Sequence, residues 1–146
     1  MRVAIVGSGP SGFYAASRIL HSFDAQCGTG ENGVDIHMYE RLPSPFGLVR
    51  YGVAPDHPEV RNVENKFDEV ARDPRFTFLG NVQVTGGADV LPSAAVPVPL
   101  SCMAPYYTHI LFAYGASDAR HLHLPGTGPD GLEHIHTAFD LSLIHI

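Results

Sequence analysis

The hydrophobic positions at the start of the chain form a short uninterrupted run, Val3-Ala4-Ile5-Val6, which a glycine follows directly. A run of this length is typical of a buried strand, and the small residues after Gly12 predict a helix. Residues 34–40 then alternate apolar and polar side chains, as a half-buried strand does. The beginning of the chain is therefore predicted to form a strand, a tight turn, a helix and a second strand.

The middle of the chain predicts an irregular connection followed by a helix. Residues 41–58 contain too much proline and glycine for regular structure and too many apolar residues for a disordered linker. Ordered irregular segments of this kind often carry function. A helix is expected to begin with Pro58 in its first turn and to end at Asp73-Pro74. Its apolar stripe consists of Val60, Val63, Phe67 and Val70.

Later apolar runs predict further strands. Residues 76–79 and 81–84 are short candidates on either side of Gly80. Residues 109–114 are expected to form a buried strand of a parallel sheet that is covered on both faces. Residues 85–101 contain a Gly-Gly pair and several prolines, so we interpret them as a solvated insertion or loop.

The glycines after the first strand have the spacing G-x-G-x-x-G. Gly7 would permit a tight turn, Gly9 would let the backbone approach phosphates, and Gly12 would let the helix pack closely on the strand. The N–H groups of the first helical turn lack intrahelical partners and can face an anion, so Pro10 costs little there. The pattern predicts a turn that binds the pyrophosphate of a dinucleotide.

An acidic residue completes this fingerprint. Glu40 closes the second predicted strand, where a carboxylate can accept hydrogen bonds from the ribose hydroxyls of an adenosine. Its separation from Gly12 exceeds the usual distance of about 20 residues, and we assign the excess to a surface loop in residues 27–33. An isolated strand-end acid would more often be solvated, but after a complete fingerprint a ribose contact is the better interpretation.

Composition narrows the class of protein. With 45% hydrophobic and 16% charged residues, the 146-residue chain has the make-up of a globular domain with one core. The net charge of −6 argues against nucleic acid as a partner, and no apolar run approaches the roughly 20 residues of a membrane span. No metal site is predicted, because no cysteine or carboxylate ligands accompany the histidine pairs at suitable spacing. These pairs are His121 with His123 and His134 with His136.

The most specific pattern of the chain is G-L-V-R-x-G-V-A-P-D-H-P, which runs from Gly47 to Pro58. Further matching segments are residues 6–14, 80–82, 113–116 and 124–126. With these motifs the chain resembles the adrenodoxin reductase family, the FAD-containing NADPH:ferredoxin oxidoreductases of glutathione-reductase-like architecture. The resemblance implies a Rossmann-like FAD-binding domain with a parallel sheet, in the α/β class.

The resemblance also implies a reaction and a set of contacts. Hydride would pass from NADPH to FAD, and single electrons would pass on to a ferredoxin- or adrenodoxin-type iron–sulfur protein. Beside the three glycines and Glu40, the implied FAD contacts are Pro10, Ser11, Arg41, Gly47, Leu48, Val84 and Gly115. For Leu48 and Val84, the residues alone are equally consistent with core packing.

Asp56 and His57 are the candidates for chemistry at the redox site. A histidine that lies between prolines is restricted in position, and an imidazole that titrates near neutral pH suits the polarisation of a nicotinamide or flavin group. The two residues would equally suit a cap of the following helix. Both interpretations remain open at this point.

The family's members continue beyond residue 140 into an NADP-binding domain, whereas this chain has no tryptophan to match their next aromatic segment. We therefore expect residues 1–140 to be a truncated FAD-binding domain, with the NADP-binding domain absent. Residues 141–146 are expected to be a non-native tail, because the sequencing adapter CTG-TCT-CTT-ATA-CAC-ATC encodes this hexapeptide. The resemblance implies the mitochondrial matrix side of the inner membrane, although Met1 leads straight into the first strand with no presequence.

Two other functions compete with the reductase. One is a non-catalytic dinucleotide-binding module, and the other is a fragment of an NAD(P)-binding Rossmann dehydrogenase that uses Glu40 for the ribose. Residues 45–60 favour the reductase, because neither alternative needs them. The 146-residue chain by itself is expected to bind FAD poorly and to have no NADPH oxidation activity.

Overall fold

The computed structural model describes residues 1–28, 33–53, 56–86 and 94–116. The chain divides into two units, Met1–Gly115 and Ala116–Ile146, and the description below concerns the first. The histidine pairs and the hexapeptide at residues 141–146 lie outside the described residues.

The chain alternates strands and helices. The strands are β1 (Arg2–Val6), β2 (Asp35–Tyr39), β3 (Phe76–Leu79), β4 (Val82–Thr85), β5 (Val96–Pro99) and β6 (His109–Phe112). The helices are α1 (Pro10–Cys27), α2 (Leu48–Tyr51), α3 (Pro58–Arg61), α4 (Val63–Ala71) and α5 (Leu100–Met103), and a 3-10 turn (Ala104–Tyr106) follows α5. Within the described ranges, no helix combines the length and the apolar character that crossing a membrane would require.

Four of the strands form one parallel sheet in the order β3-β2-β1-β6. The register pairs Val3 with Ile36 and with His109, and Ile36 with Phe76, in parallel throughout. The carboxyl ends of all four strands therefore lie at one edge of the sheet, which is where open α/β sheets bind their ligands. The predicted α/β class with a parallel sheet is confirmed.

The core lies between one face of this sheet and helices α1 and α4. The sheet contributes the buried side chains of Val3, Ile5, Ile36 and Met38. Phe13 of α1 lies at the centre, with its ring centroid 4.9 Å from that of Phe67 and 5.1 Å from that of Phe46. Phe67 and Val70 are buried, as the predicted apolar stripe requires. The aromatic contacts join α1, α4 and the segment after β2 into one core.

Three local predictions were wrong. The helix expected from Pro58 is divided into α3 and α4 at Asn62. Residues 41–58 include the short helix α2, and residues 85–101 contain β5 and α5 rather than only loop. The prolines of β5 do not prevent its pairing with β4, because they alternate with valines and each strand of a two-stranded sheet has a free edge.

The expected burial of residues 109–114 was also wrong. Their strand, β6, ends at Phe112 and lies at the edge of the described sheet, where β1 is its partner. Leu111 is 38% exposed and Phe112 is 53% exposed. An edge strand is covered only where another element packs against it, and an apolar sequence run does not reveal this.

Candidate functional site

The turn between β1 and α1 requires glycine at two positions, because backbone atoms of the same chain occupy the space that a side chain would need. Gly7 has φ +106°, and a Cβ built there would meet the Ala113 carbonyl and the Tyr114 Cα. A Cβ on Gly12 would meet the carbonyl oxygen of Gly7. At Gly9, in contrast, an added Cβ has no heavy atom within 4 Å. The space in front of Gly9 is therefore open at the ligand edge of the sheet.

Helix α1 starts at this opening without a side-chain cap. Gly9 is its N-cap residue and Pro10 its first residue, and the first turn contains no acidic side chain. Ser11 is exposed there. The unpaired N–H groups and the positive end of the dipole of this 18-residue helix are thus available to an anion.

Glu40 lies directly beside the glycine turn. Its Oε2 accepts hydrogen bonds from the backbone N–H of Ser8 at 2.9 Å and from the Ser8 hydroxyl at 2.7 Å. Its Oε1 accepts the backbone N–H of Leu42 at 3.1 Å. The parallel pairing of β1 with β2 produces this arrangement, because it ends both strands at the same level with Val6 opposite Tyr39.

The segment after β2 packs onto the same turn. The N–H of Phe46 donates to the Ser8 carbonyl at 2.9 Å, and a Cβ on Gly47, which has φ +51°, would lie 3.2 Å from the Gly9 Cα. Phe46 itself has φ +89°, a strained value for a side-chain-bearing residue. Its ring is buried, and the Arg50 guanidinium lies 4.8 Å from the ring centroid. The start of the motif, at Gly47, thus packs against the glycine turn.

The other predicted FAD contacts differ in how deeply they are buried. Leu48 is 68% exposed at the start of α2, and Arg41 and Gly115 are also exposed. Val84 is half-buried in β4, whose first residue, Val82, donates its N–H to the Glu40 carbonyl at 2.8 Å. The exposed side chain of Leu48 leaves an apolar surface available to a ligand.

The structure corrects the capping interpretation of His57. This residue occupies the N-cap position of α3, but its side chain makes no capping hydrogen bond. The imidazole instead contacts two carboxylates, with Nδ1 3.1 Å from Glu59 and Nε2 4.0 Å from Asp56. The imidazole thus contacts side-chain carboxylates instead of a backbone N–H of the helix, and the side chain is 61% exposed.

Sequence reasoning missed a polar cluster on the opposite face of the sheet. The Tyr107 hydroxyl lies 2.6 Å from His37 Nδ1 and 2.5 Å from the Tyr39 hydroxyl, and His37 Nε2 lies 3.3 Å from Asp35. Burial raises the pKa of Tyr107 well above its usual value, and the hydrogen bond with Tyr39 raises it further. The alternation in β2 indicated its polar face, but nothing local indicated a partner nearly 70 residues later.

A second missed cluster joins α1 to the turn before β3. The Arg75 side chain donates to both carboxylate oxygens of Asp24, at 2.5 and 3.1 Å, and to both of Asp73, at 2.9 and 2.7 Å. These hydrogen bonds hold the pKa of Asp24 and of Asp73 below its usual value. Arg75 is only 10% exposed, so these two carboxylates compensate its positive charge where little water reaches it.

The sheet order, the glycine turn and the carboxylate beside it define a Rossmann-like α/β domain. No protein-family model matches the chain. Individual proteins do: the chain is 44% identical over 124 residues to the NADPH-ferredoxin reductase FprA of Mycobacterium leprae, covering 85% of this chain and 24% of FprA. It is 45% identical over 130 residues to a probable mitochondrial NADPH:adrenodoxin oxidoreductase of Schizosaccharomyces pombe, covering 89% and 24%. For the human mitochondrial NADPH:adrenodoxin oxidoreductase the identity is 46% over 125 residues, covering 86% and 22%.

A solved structure agrees with these relatives. The structure of Mycobacterium tuberculosis FprA in complex with NADPH matches with a TM-score of 0.69 and 42% identity, over 86% of this chain and 25% of that one. The chain is thus a homologue of the NADPH-ferredoxin and NADPH:adrenodoxin oxidoreductases, and the predicted resemblance to the adrenodoxin reductase family is confirmed. It spans about a quarter of the length of these relatives.

Proposed function

We propose that the protein containing this sequence is an FAD-dependent oxidoreductase that passes electrons from NADPH through FAD to a ferredoxin- or adrenodoxin-type iron–sulfur protein. The observation that carries the proposal is the packing of Phe46 and Gly47 onto the glycine turn. A simple nucleotide-binding module or an NAD(P) dehydrogenase has no need of this segment. The names of the relatives support the same reaction.

The residues at the edge of the sheet fit an FAD. Its pyrophosphate would lie against Gly9 and the uncapped start of α1, where the backbone leaves open space. Glu40 would accept a hydroxyl of the adenosine ribose. FAD supplies the hydride-accepting and single-electron chemistry when it is bound, and the chain supplies its placement and electrostatic surroundings.

The remaining contacts follow from their positions. Ser11, in the first turn of α1, is proposed to contact a phosphate together with Pro10. Leu48 is proposed to cover the flavin end with its exposed side chain. Val84 is proposed to lie on the adenine side, because the first residue of β4, Val82, donates its N–H to the Glu40 carbonyl. The exposed residues Arg41 and Gly115 are proposed to complete the rim of the site.

Asp56 and His57 are proposed to act on the redox group. The imidazole contacts the Asp56 and Glu59 carboxylates, and an N–H of its ring can donate a hydrogen bond to a nicotinamide or flavin oxygen. The exposure of His57 leaves it accessible for such a contact.

We further propose that residues 1–140 are part of the FAD-binding domain and that the NADP-binding domain lies outside these 146 residues. A mitochondrial location is proposed from the names of the fission yeast and human relatives. Residues 141–146 are proposed to be translated adapter. Inspection of the DNA tests this last point, since other synonymous codons at these positions would contradict it.

Flavin titration tests the proposed cofactor. The protein expressed from the complete gene should bind FAD in stoichiometric amount and show a yellow flavin spectrum. Binding of NAD(P)H without any flavin would favour the dehydrogenase alternative. Binding of FAD with no reduction by NADPH would favour the non-catalytic module. The 146-residue chain by itself is expected to bind FAD weakly and to oxidise no NADPH.

A further inference from the structure

We propose that Ser8 is a positioning residue of the nucleotide site, which holds the Glu40 carboxylate in the orientation that receives the ribose. The inference rests on the proposed function, because it takes Glu40 as the ribose ligand. No spacing rule predicts a role for Ser8, since it occupies a variable position of the G-x-G-x-x-G pattern.

Ser8 is fully buried, at 0% exposure, and all of its polar groups are engaged. Its hydroxyl and its N–H both donate to Oε2 of Glu40, and its carbonyl accepts the N–H of Phe46. A buried hydroxyl needs a hydrogen-bond partner, and hydrogen bonds to a carboxylate are stronger than those between neutral groups. Ser8 therefore connects the phosphate turn, the ribose carboxylate and the segment that carries Gly47.

The hydroxyl is not required by the turn itself. The turn needs glycine at positions 7 and 12, and β1 is already joined to β2 by pairing along its whole length. An alanine would occupy the Ser8 position without added volume. The contact that a serine adds there is the one to Glu40, which indicates a role in orienting that carboxylate.

The hydrogen bonds also determine how much acceptor capacity Glu40 retains. A carboxylate has about four acceptor positions. Ser8 uses two on Oε2, and the Leu42 N–H uses one on Oε1. With these contacts of the described residues, one position on Oε1 remains, so Glu40 can accept one ribose hydroxyl without releasing Ser8. Because the side chain is already ordered, little rotamer entropy is lost when the ribose binds.

Ribose selectivity tests this role. The protein from the complete gene, freed of bound flavin, is titrated calorimetrically with ADP, 2′-deoxy-ADP and 3′-deoxy-ADP. We expect the wild type to bind ADP roughly 10-fold more tightly than one of the deoxy analogues, and S8A to lose most of that ratio. In the E40Q background, S8A should change the ratio no further, because Ser8 acts through Glu40.

Two further variants separate positioning from general damage. Ser11→Ala removes an exposed hydroxyl of the same turn, and it should change the affinities for ADP and for the deoxy analogues equally. Ser8→Cys replaces the hydroxyl with a slightly larger thiol, which is only a weak donor. If S8A does not fold, Ser8→Cys takes its place and should likewise lose the ratio. An S8A or Ser8→Cys protein that folds and keeps the wild-type ratio would overturn the positioning role.

The outcomes also separate this inference from the proposed function. If the Ser8 variants keep the wild-type preference for ADP over the deoxy analogues, the role of Ser8 is overturned and the proposed function is not affected. Discrimination that depends on Ser8, in a protein that binds no FAD, overturns the proposed function and supports the role of Ser8. A wild type that binds none of these nucleotides overturns both.

Discussion

The three glycines of the turn are not required for the same reason. Backbone atoms of the chain exclude a side chain at Gly7 and Gly12, whereas a Cβ added at Gly9 would meet no heavy atom within 4 Å. The sequence predicted all three from one spacing, but that spacing also occurs from Gly28 to Gly33, where it follows a helix instead of a strand. The context of a preceding strand made the prediction possible. The hydrogen bonds of Glu40 could not be predicted, because they depend on the register between β1 and β2.

Alanine substitutions should separate the two kinds of glycine. Gly12→Ala should lower the free energy of unfolding by about 1–3 kcal/mol, because its Cβ meets the Gly7 carbonyl and lies 3.3 Å from Met38 Cε. Gly9→Ala should leave unfolding within about 0.5 kcal/mol of wild type while it weakens FAD binding. Denaturant unfolding measures the stability of each variant, and flavin titration measures its affinity for FAD. Equal destabilisation by the two substitutions would contradict this assignment.

The role of His57 can be tested by activity. In the protein from the complete gene, His57→Gln should lower the kcat of NADPH oxidation by up to about 100-fold, because it removes the imidazole that is proposed to act on the redox group. Its thermal unfolding should not change, because the side chain is exposed. His109→Gln, on the exposed edge strand, is the matched control. If both variants behave alike, His57 has no role in the redox step.

At the level of elements, the periodicity of hydrophobic residues predicted the strands and helices well where the buried face of the element sets that periodicity. β1, β2, β3 and α1 lie where periodicity placed them. β5 was missed because Pro-rich sequence indicates a loop, although prolines are tolerated in a strand with a free edge. The exposure of β6 was missed because it depends on which element packs against that strand. Clusters that join distant elements, such as Arg75 with Asp24, leave no local signal.

The Arg75 cluster should contribute to the pH dependence of stability. The pKa of Asp24 and of Asp73 is lowered in the folded state from 3.8, so their contribution is present above about pH 4 and is lost as the pH falls through the folded-state values. Arg75→Lys, which cannot bond both carboxylates in the same way, should lower Tm at pH 7 and reduce its decline in acid. Arg72→Lys, on an exposed neighbour, should do neither. An unchanged acid profile in Arg75→Lys would contradict the cluster's role.

The Tyr107 cluster should stabilise the far face of the sheet. Tyr107→Phe leaves His37 Nδ1 and the Tyr39 hydroxyl without this partner, and we expect a loss of about 1–2 kcal/mol in the free energy of unfolding. Tyr106→Phe is the control, because Tyr106 is 69% exposed and should change stability by less than about 0.5 kcal/mol. Chemical denaturation distinguishes the two, and equal effects would show that the hydroxyl contributes nothing.

At the level of the whole molecule, the specific motif from Gly47 to Pro58 predicted the relationship that the comparisons confirm. The structure adds that the beginning of this motif packs on the glycine turn, so the two most informative parts of the sequence lie against each other. The chain spans about a quarter of its relatives' length, and electron transfer is accordingly a property proposed for the complete protein.

One measurement tests that proposal most directly. The protein from the complete gene, reconstituted with FAD, is mixed with NADPH under anaerobic conditions, and a ferredoxin of the [2Fe–2S] type is then added. We expect NADPH to bleach the flavin absorbance and the ferredoxin to restore it while its own iron–sulfur spectrum changes to the reduced form. A flavin that NADPH leaves unchanged, or a reduced flavin that transfers no electrons to the ferredoxin, would contradict the proposed function.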